Sequence, residues 1–112
     1  MYMKKTRVYS LLAQEAVTLL GKEIKLARME RKWSLDNLAE RIGISRVTLQ
    51  KIESGEMASS IGLVFEAAVL VGVPLFEEDS KSLAKNIHFA QSKIALFPKR
   101  TRIQKKEIDD NF

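Results

Sequence analysis

Arg46, Val47, Gln50 and Lys51 carry the side chains of this sequence best suited to chemistry, and that chemistry is recognition. Arg and Lys donate to guanine O6 and N7, Gln pairs with adenine, and a small apolar group meets a thymine methyl. The four residues lie in the stretch RVTLQKIESG, where Leu49 and Ile52 form the apolar side of a short helix. They therefore fall on the far side, free to meet something outside a core and shaped to enter a DNA major groove. On an isolated helix such residues are ordinarily a solvated face. The segment that precedes them is what raises them above that background.

Residues 33–55, WSLDNLAERIGISRVTLQKIESG, predict two short helices meeting at a sharp turn. Ser34 and Ser45 each stand just before a run of helix formers, where a hydroxyl can accept from an otherwise unpaired backbone N–H. Trp33 with Leu38, and Ile44 with Leu49, have the spacing of a hydrophobic staple around those two starts. Neither start completes a capping box, because Asn37 and Thr48 stand where Glu or Gln would be wanted. Gly43 follows Leu38 and Ile42, the place for a residue free to take a positive φ. Helices of about eight residues, linked only by Gly43, Ile44 and Ser45, bury Leu38, Ile42, Ile44, Leu49 and Ile52 together by crossing steeply, as in a helix-turn-helix. Ala39 is small enough to let the second helix pass close to the first.

These residues resemble the XRE/Cro-like helix-turn-helix family, in which Leu-Ala, three variable residues, Gly, an apolar residue and Ser lead to an apolar residue, Glu and Gly that end the recognition helix. Here they are Leu38-Ala39, Gly43-Ile44-Ser45, Leu49, Ile52-Glu53 and Gly55. The resemblance implies an all-α fold, with a five-helix lambda-repressor-like DNA-binding domain over residues 18–77. It implies DNA contacts from Ser45, Arg46, Val47, Thr48, Gln50 and Lys51, with Ser34 and Arg28 beside them. It also implies an ion pair between Arg28 of the first helix and Glu53 at the end of the recognition helix, against which stands the plainer reading of two solvated surface charges. Family members often carry Gln at the first position of the earlier helix to touch a phosphate. This chain has Leu35 there, which cannot make that contact.

The neighbouring segments supply the rest of such a domain. Residues 9–32 form a long helical pattern with Leu12, Ala16, Leu19, Leu20, Ile24 and Ala27 near one face, and Gly21 marks where a lead-in, residues 1–17, joins the domain's first helix proper. Ser59 or Ser60 can cap a helix through Leu63, Val64, Ala67, Leu70 and Val71, ended by Gly72 and Pro74. Related repressors often use the following segment in a two-fold interface, and Val73, Leu75 and Phe76 are apolar enough to do so. In residues 80–97, Leu83, Ile87, Ala90, Ile94 and Phe97 recur at alternating steps of four and three. Such a narrow seam needs a facing partner. Either the same helix of a second subunit or the body of its own domain meets that need.

At 112 residues the chain is long enough for one modest helical core plus appendages. Its net charge of +5 is uneven: residues 1–32 hold eight Lys and Arg against three acids, whereas residues 56–79 hold five acids and no base. The basic end can lie along a phosphate backbone while the acidic segment faces away or meets a partner. There is no cysteine, and His88 stands off the seam with no second ligand near it in sequence, so neither disulfide nor metal site is expected. The basic start MYMKKTR is followed by an apolar stretch that Gln14 and Glu15 break too early for a signal peptide, and no apolar run spans a bilayer. A cytoplasmic location without membrane association is expected. No Gly-rich phosphate loop or nucleophile triad is present, so catalysis and cofactors are not expected.

The tail, residues 98–112, starts at Pro98, loses apolar periodicity and turns from basic to acidic. Ile108, Asp109, Asp110 and Phe112 read as a short acidic docking segment with an aromatic end, or as a solvated tail with no role. The layout of a short XRE domain with added terminal segments is similar to that of HipB-like antitoxins, whose family partner is a HipA-type kinase-fold toxin. Three functions follow from these resemblances: an autoregulating antitoxin, a stand-alone repressor, and a protein-interaction adaptor that has lost DNA binding. The first two require a homodimer on a pseudo-palindromic double-stranded operator.

Overall fold

The computed structural model describes residues 7–76 and 79–99. Four helices, α1 (Leu11–Glu30), α2 (Leu35–Ile42), α3 (Arg46–Ser54) and α4 (Ile61–Val71), fill the first of two units, which meet between Leu75 and Phe76. A serine precedes each of the four: Ser10, Ser34, Ser45 and Ser60. The first three hydroxyls accept from the third residue beyond them, and Ser60 supplies extended backbone without that bond.

The four helices also end alike, through a left-handed residue whose N–H and the next one return to the last carbonyls. Gly43, Gly55 and Gly72 take positive φ, and Ile44, Glu56 and Val73 donate to Ala39, Lys51 and Ala68 carbonyls. At α1 the same closure is made by Lys32, at φ 61, with Trp33 N–H donating to the Arg28 carbonyl. A lysine side chain there accepts strain of about 1 kcal/mol or more that glycine would avoid. It turns the chain so that Trp33 can enter the staple ahead of α2.

The core gathers Ile24 of α1, Leu38 and Ala39 of α2, Leu49 and Ile52 of α3, and Ala67, Ala68 and Val71 of α4. Leu20, Ala27, Trp33, Ile42, Ile44 and Leu70 pack around it half-buried. Ile24, Leu38 and Leu49 are fully enclosed, each contributing about 1.5–3 kcal/mol of burial. α1 rests on α3 and α4, and α2 rests on both of the same helices. At the far end, Arg31 Nε donates to the Val71 carbonyl at 3.0 Å, fastening the end of α1 to the end of α4.

The all-α architecture agrees with the sequence reading, and the turn at residues 43–45 lies where it was expected. α1 departs from that reading in two ways. It is continuous through Gly21, so no joint separates a lead-in from the first helix. Gly21 is there because α3 comes too close for anything larger: a Cβ would lie 2.6 Å from the Ile52 carbonyl oxygen and 2.8 Å from that of Glu53. The buried side of α1 is accordingly Gly21, Ile24 and Arg28, with Leu20 and Ala27 half-buried on it as expected, while Leu12, Ala16 and Leu19 are exposed. Counting apolar residues alone rotated the face, because its two decisive members are a glycine and an arginine.

The second unit contains α5 (Ser80–Ala95), the fifth helix of the described chain and the segment expected as an added C-terminal helix. Asp79 caps it, accepting from Ser82 N–H at 2.7 Å. No residue of α5 is buried. Among the described residues no helix is long and apolar enough to cross a membrane.

Candidate nucleic-acid interface

α3 is clamped along one side and open along the other. Leu49, Ile52 and Glu53 are buried, whereas Ser45, Arg46, Val47, Gln50 and Lys51 are exposed and Thr48 is half-buried between them. Ser45 Oγ accepts from Thr48 N–H at 3.1 Å and lies 2.9 Å from Thr48 Oγ1. The first turn of α3 is thereby fixed by its own side chains. Apart from that of Thr48, the N–H groups of its first turn are offered to an anion in the way helix N-termini are.

Glu53 and Arg28 hold the buried side. Arg28 Nε donates to Glu53 Oε2 at 2.7 Å, Nη2 donates to Oε1 at 3.0 Å, and Nη1 donates to the Trp33 carbonyl at 2.9 Å. Arg28 is 8% exposed and Glu53 4%. One guanidinium thus joins α1, the end of α3 and the entry to α2, in the two-pronged geometry that Arg makes with a carboxylate. The expected DNA contact of Arg28 is corrected by this geometry. Its side chain is buried and committed to Glu53 and Trp33, so its role is structural.

Ser34 is exposed, and its hydroxyl caps α2, accepting from Asn37 N–H at 3.0 Å. Asn37 Oδ1 in turn accepts from Arg41 Nε at 2.6 Å, and the Arg41 guanidinium lies 4.0 Å from the centre of the Trp33 ring. Arg31 approaches the same ring at 5.4 Å. The stapling tryptophan therefore contacts two cations, a geometry each of which contributes about 0.5–1 kcal/mol near the surface.

Two features of the exposed side were not apparent from sequence. Asp36, in the first turn of α2, lies 3.7 Å from Arg46 Nε, and both side chains are solvated. Beside Gln50, a cavity of about 180 Å³ is bordered by Lys22, Lys25, Leu35 and Ser54, with Arg28 and Glu53 beneath. Leu35 packs against the core and so forms an apolar edge where the family's Gln would stand. Two α1 lysines flank that edge. No local motif marks Lys22 and Lys25; their place follows from the contact of Gly21 with the end of α3.

The residues expected at a two-fold interface separate. Val73 and Leu75 are half-buried against their own core, so they are not presented as a free apolar strip. Phe76 is 87% exposed at φ 52. On α5, Leu83 is half-buried, and Ile87, Ala90 and Ile94 are exposed. Ile108, Asp109, Asp110 and Phe112 lie outside the described residues. Among the described residues no cluster of potential metal ligands occurs.

Comparison with known proteins agrees with this geometry. The family model described as helix-turn-helix matches residues 24–77. A protein provisionally named as an HTH-type transcriptional regulatory protein of Methanosarcina barkeri is 39% identical over 59 residues, covering 53% of this chain and 18% of that protein. One of Methanococcoides burtonii is 37% identical over 59 residues, with the same coverage of 53% and 18%. The HTH-type transcriptional regulator SutR of Escherichia coli is 34% identical over 55 residues, covering 49% of this chain and 31% of SutR. The chain thus spans less than a third of the length of these relatives. No solved structure matches it.

Proposed function

Residues 24–77 belong to the XRE/Cro-like helix-turn-helix family, and from that premise we propose that the chain is a cytoplasmic DNA-binding transcription regulator that represses as a homodimer. The observation that carries this reading is the division of α3, with Leu49, Ile52 and Glu53 held in the core and Arg46, Val47, Gln50 and Lys51 presented together on a capped, rigid helix. Arg46 and Lys51 donate to guanine, Gln50 meets adenine, and Val47 packs on thymine methyls. Two such helices about 34–36 Å apart read the halves of a pseudo-palindromic operator. Ser45, Thr48 and the N–H groups at the start of α3 lie against the phosphate backbone. Lys25, beside the Leu35 edge, supplies the phosphate contact that Leu35 cannot. Reaching a base takes Arg46 away from Asp36, and that solvated pair costs under about 1 kcal/mol to open.

The test selects the preferred operator from a random library and measures the affinity of the full chain for it and for random DNA. Arg46→Ala is expected to cost about 1–3 kcal/mol on the operator and to relax preference at one position. Equal losses on both DNAs would remove Arg46 from base reading. Raising salt from about 50 to 200 mM should weaken operator binding on the order of a thousandfold or more, since each neutralised phosphate releases counterions. A flat salt response, or no selectable sequence, would favour the adaptor.

The surface of α5 favours a second, more specific reading. Ile87, Phe89 and Ile94 are each more than half exposed, and residues 80–99 carry Lys81, Lys85, Lys93 and Lys99 with no acid. A helix with that charge set repels a second copy of itself and suits a partner with an acidic surface. The regulator is then the autoregulating antitoxin of a HipA-kinase-type pair, holding its toxin through α5 and the tail residues Ile108, Asp109, Asp110 and Phe112. Affinity capture with the full chain and with a form ending at Leu96, nuclease present, separates the readings. A stoichiometric kinase lost with the tail supports the antitoxin. Recovery of the chain alone supports a stand-alone repressor.

A further inference from the structure

α1 is apolar on two opposite sides, and only one of them meets the core. Gly21, Ile24 and Arg28 face inward, while Leu12, Leu19, Leu26 and Met29 are exposed by 77, 58, 57 and 56%. Leu12, Leu19 and Leu26 are spaced by seven residues. With Glu15, Lys22 and Met29 between and after them they make one seam whose steps alternate three and four, the period of a coiled-coil contact. The seam runs roughly 25 Å along the helix at 1.5 Å per residue. Over its N-terminal part lies a shallow groove of about 620 Å³, bordered by Leu11, Gln14, Glu15, Thr18, Leu19 and Lys22.

The two charged members of the seam say what covers it. Glu15 and Lys22 are exposed, and neither is in an ion pair among the described residues. A second copy laid parallel and in register would set Glu15 against the partner's Glu15 and Lys22 against the partner's Lys22. Laid antiparallel about a two-fold axis between Thr18 and Leu19, it sets each Glu15 against the partner's Lys22, twice. Opposed like charges are penalised in such seams and opposed unlike charges set orientation. We infer that α1 is a self-association surface, on which a second copy of this chain packs its own α1 antiparallel, Leu19 seated in that groove and Glu15 joined to the partner's Lys22.

This contact is independent of what α3 reads. It rests on the homodimer of the proposed function, and since Lys22 also borders the cavity beside Gln50, association is measured without DNA: a dimer held by another surface overturns this contact and leaves that homodimer standing. Sedimentation equilibrium of the full chain should show a monomer–dimer equilibrium. Leu19→Glu, on the side of α1 away from the core, should keep the helical circular dichroism and raise the dimer Kd about a hundredfold, because two buried leucines are lost per dimer. Glu15→Lys and Lys22→Glu should each weaken the dimer, and the two together should restore it. A wild-type chain that stays monomeric overturns the inference. So does a dimer indifferent to Leu19→Glu but abolished by Ile87→Glu, and failure of the double charge swap to restore association overturns the antiparallel arrangement.

Discussion

Glu53→Gln lowers the stability of the helix-turn-helix unit by about 3–5 kcal/mol, the cost of leaving one member of a buried ion pair without its counter-charge. Glutamine keeps the shape of the side chain and one acceptor oxygen. The other position becomes an amide that presents N–H groups to Arg28, where Nε and Nη2 now donate at 2.7 and 3.0 Å. Water reaches the pair only from the cavity beside Gln50, and Arg28 is 8% and Glu53 4% exposed, so solvation replaces little of the lost counter-charge. Domains of this size melt about 4–8 °C lower for each kcal/mol lost, so the midpoint should fall on the order of 20 °C in a thermal scan of the full chain. Against a total stability of about 5–15 kcal/mol, that is a large fraction.

Restoring the balance rather than the contact should recover part of this loss. Arg28→Met combined with Glu53→Leu removes both charges while keeping the space filled, and such exchanges are often neutral. Here recovery is incomplete, because Arg28 Nη1 also donates to the Trp33 carbonyl, which the double variant strands. A loss below about 1 kcal/mol for Glu53→Gln alone is the behaviour of a solvated pair and would contradict the burial.

The local part of this structure was legible in the sequence. Ser34 and Ser45 as caps, Gly43 as a left-handed stop and Leu49 and Ile52 as the inner side of α3 all follow from interactions within a few residues of one another. The exposure of Arg46, Val47, Gln50 and Lys51 follows from the same short-range pattern. What escaped the pattern depends on contacts between distant segments. The bond of Arg31 to the Val71 carbonyl and the placement of Lys25 beside Gln50 leave no periodic trace. The Arg28–Glu53 pair spans 25 residues, and only the family resemblance pointed to it. Gly21 did leave a trace that was misread. A glycine inside a helix costs about 1 kcal/mol relative to alanine, so its presence between Leu20 and Lys22 asks for a compensating close approach rather than a joint.

That approach makes Gly21→Ala the second large effect, and propensity argues for the opposite sign. Alanine is the better helix former by about 1 kcal/mol, so a glycine with open space should gain from the exchange. Gly62 is such a site, with nothing within 4 Å of a Cβ, and Gly62→Ala should raise the melting temperature slightly. At Gly21 the new Cβ meets two backbone oxygens at 2.6 and 2.8 Å, and neither can rotate away as a side-chain tip can. α3 must shift off α1 as a body, at a cost of about 1–3 kcal/mol net destabilisation. The oxygens belong to Ile52 and Glu53, so the shift draws Glu53 from Arg28 as well. Gly21→Ala and Glu53→Gln should therefore be coupled, the double variant losing less than the sum of the two, as expected for residues sharing one contact. Additive losses would mean that the α1–α3 backbone contact and the ion pair act independently, and a stabilising Gly21→Ala would mean that the helices are not in contact there at all.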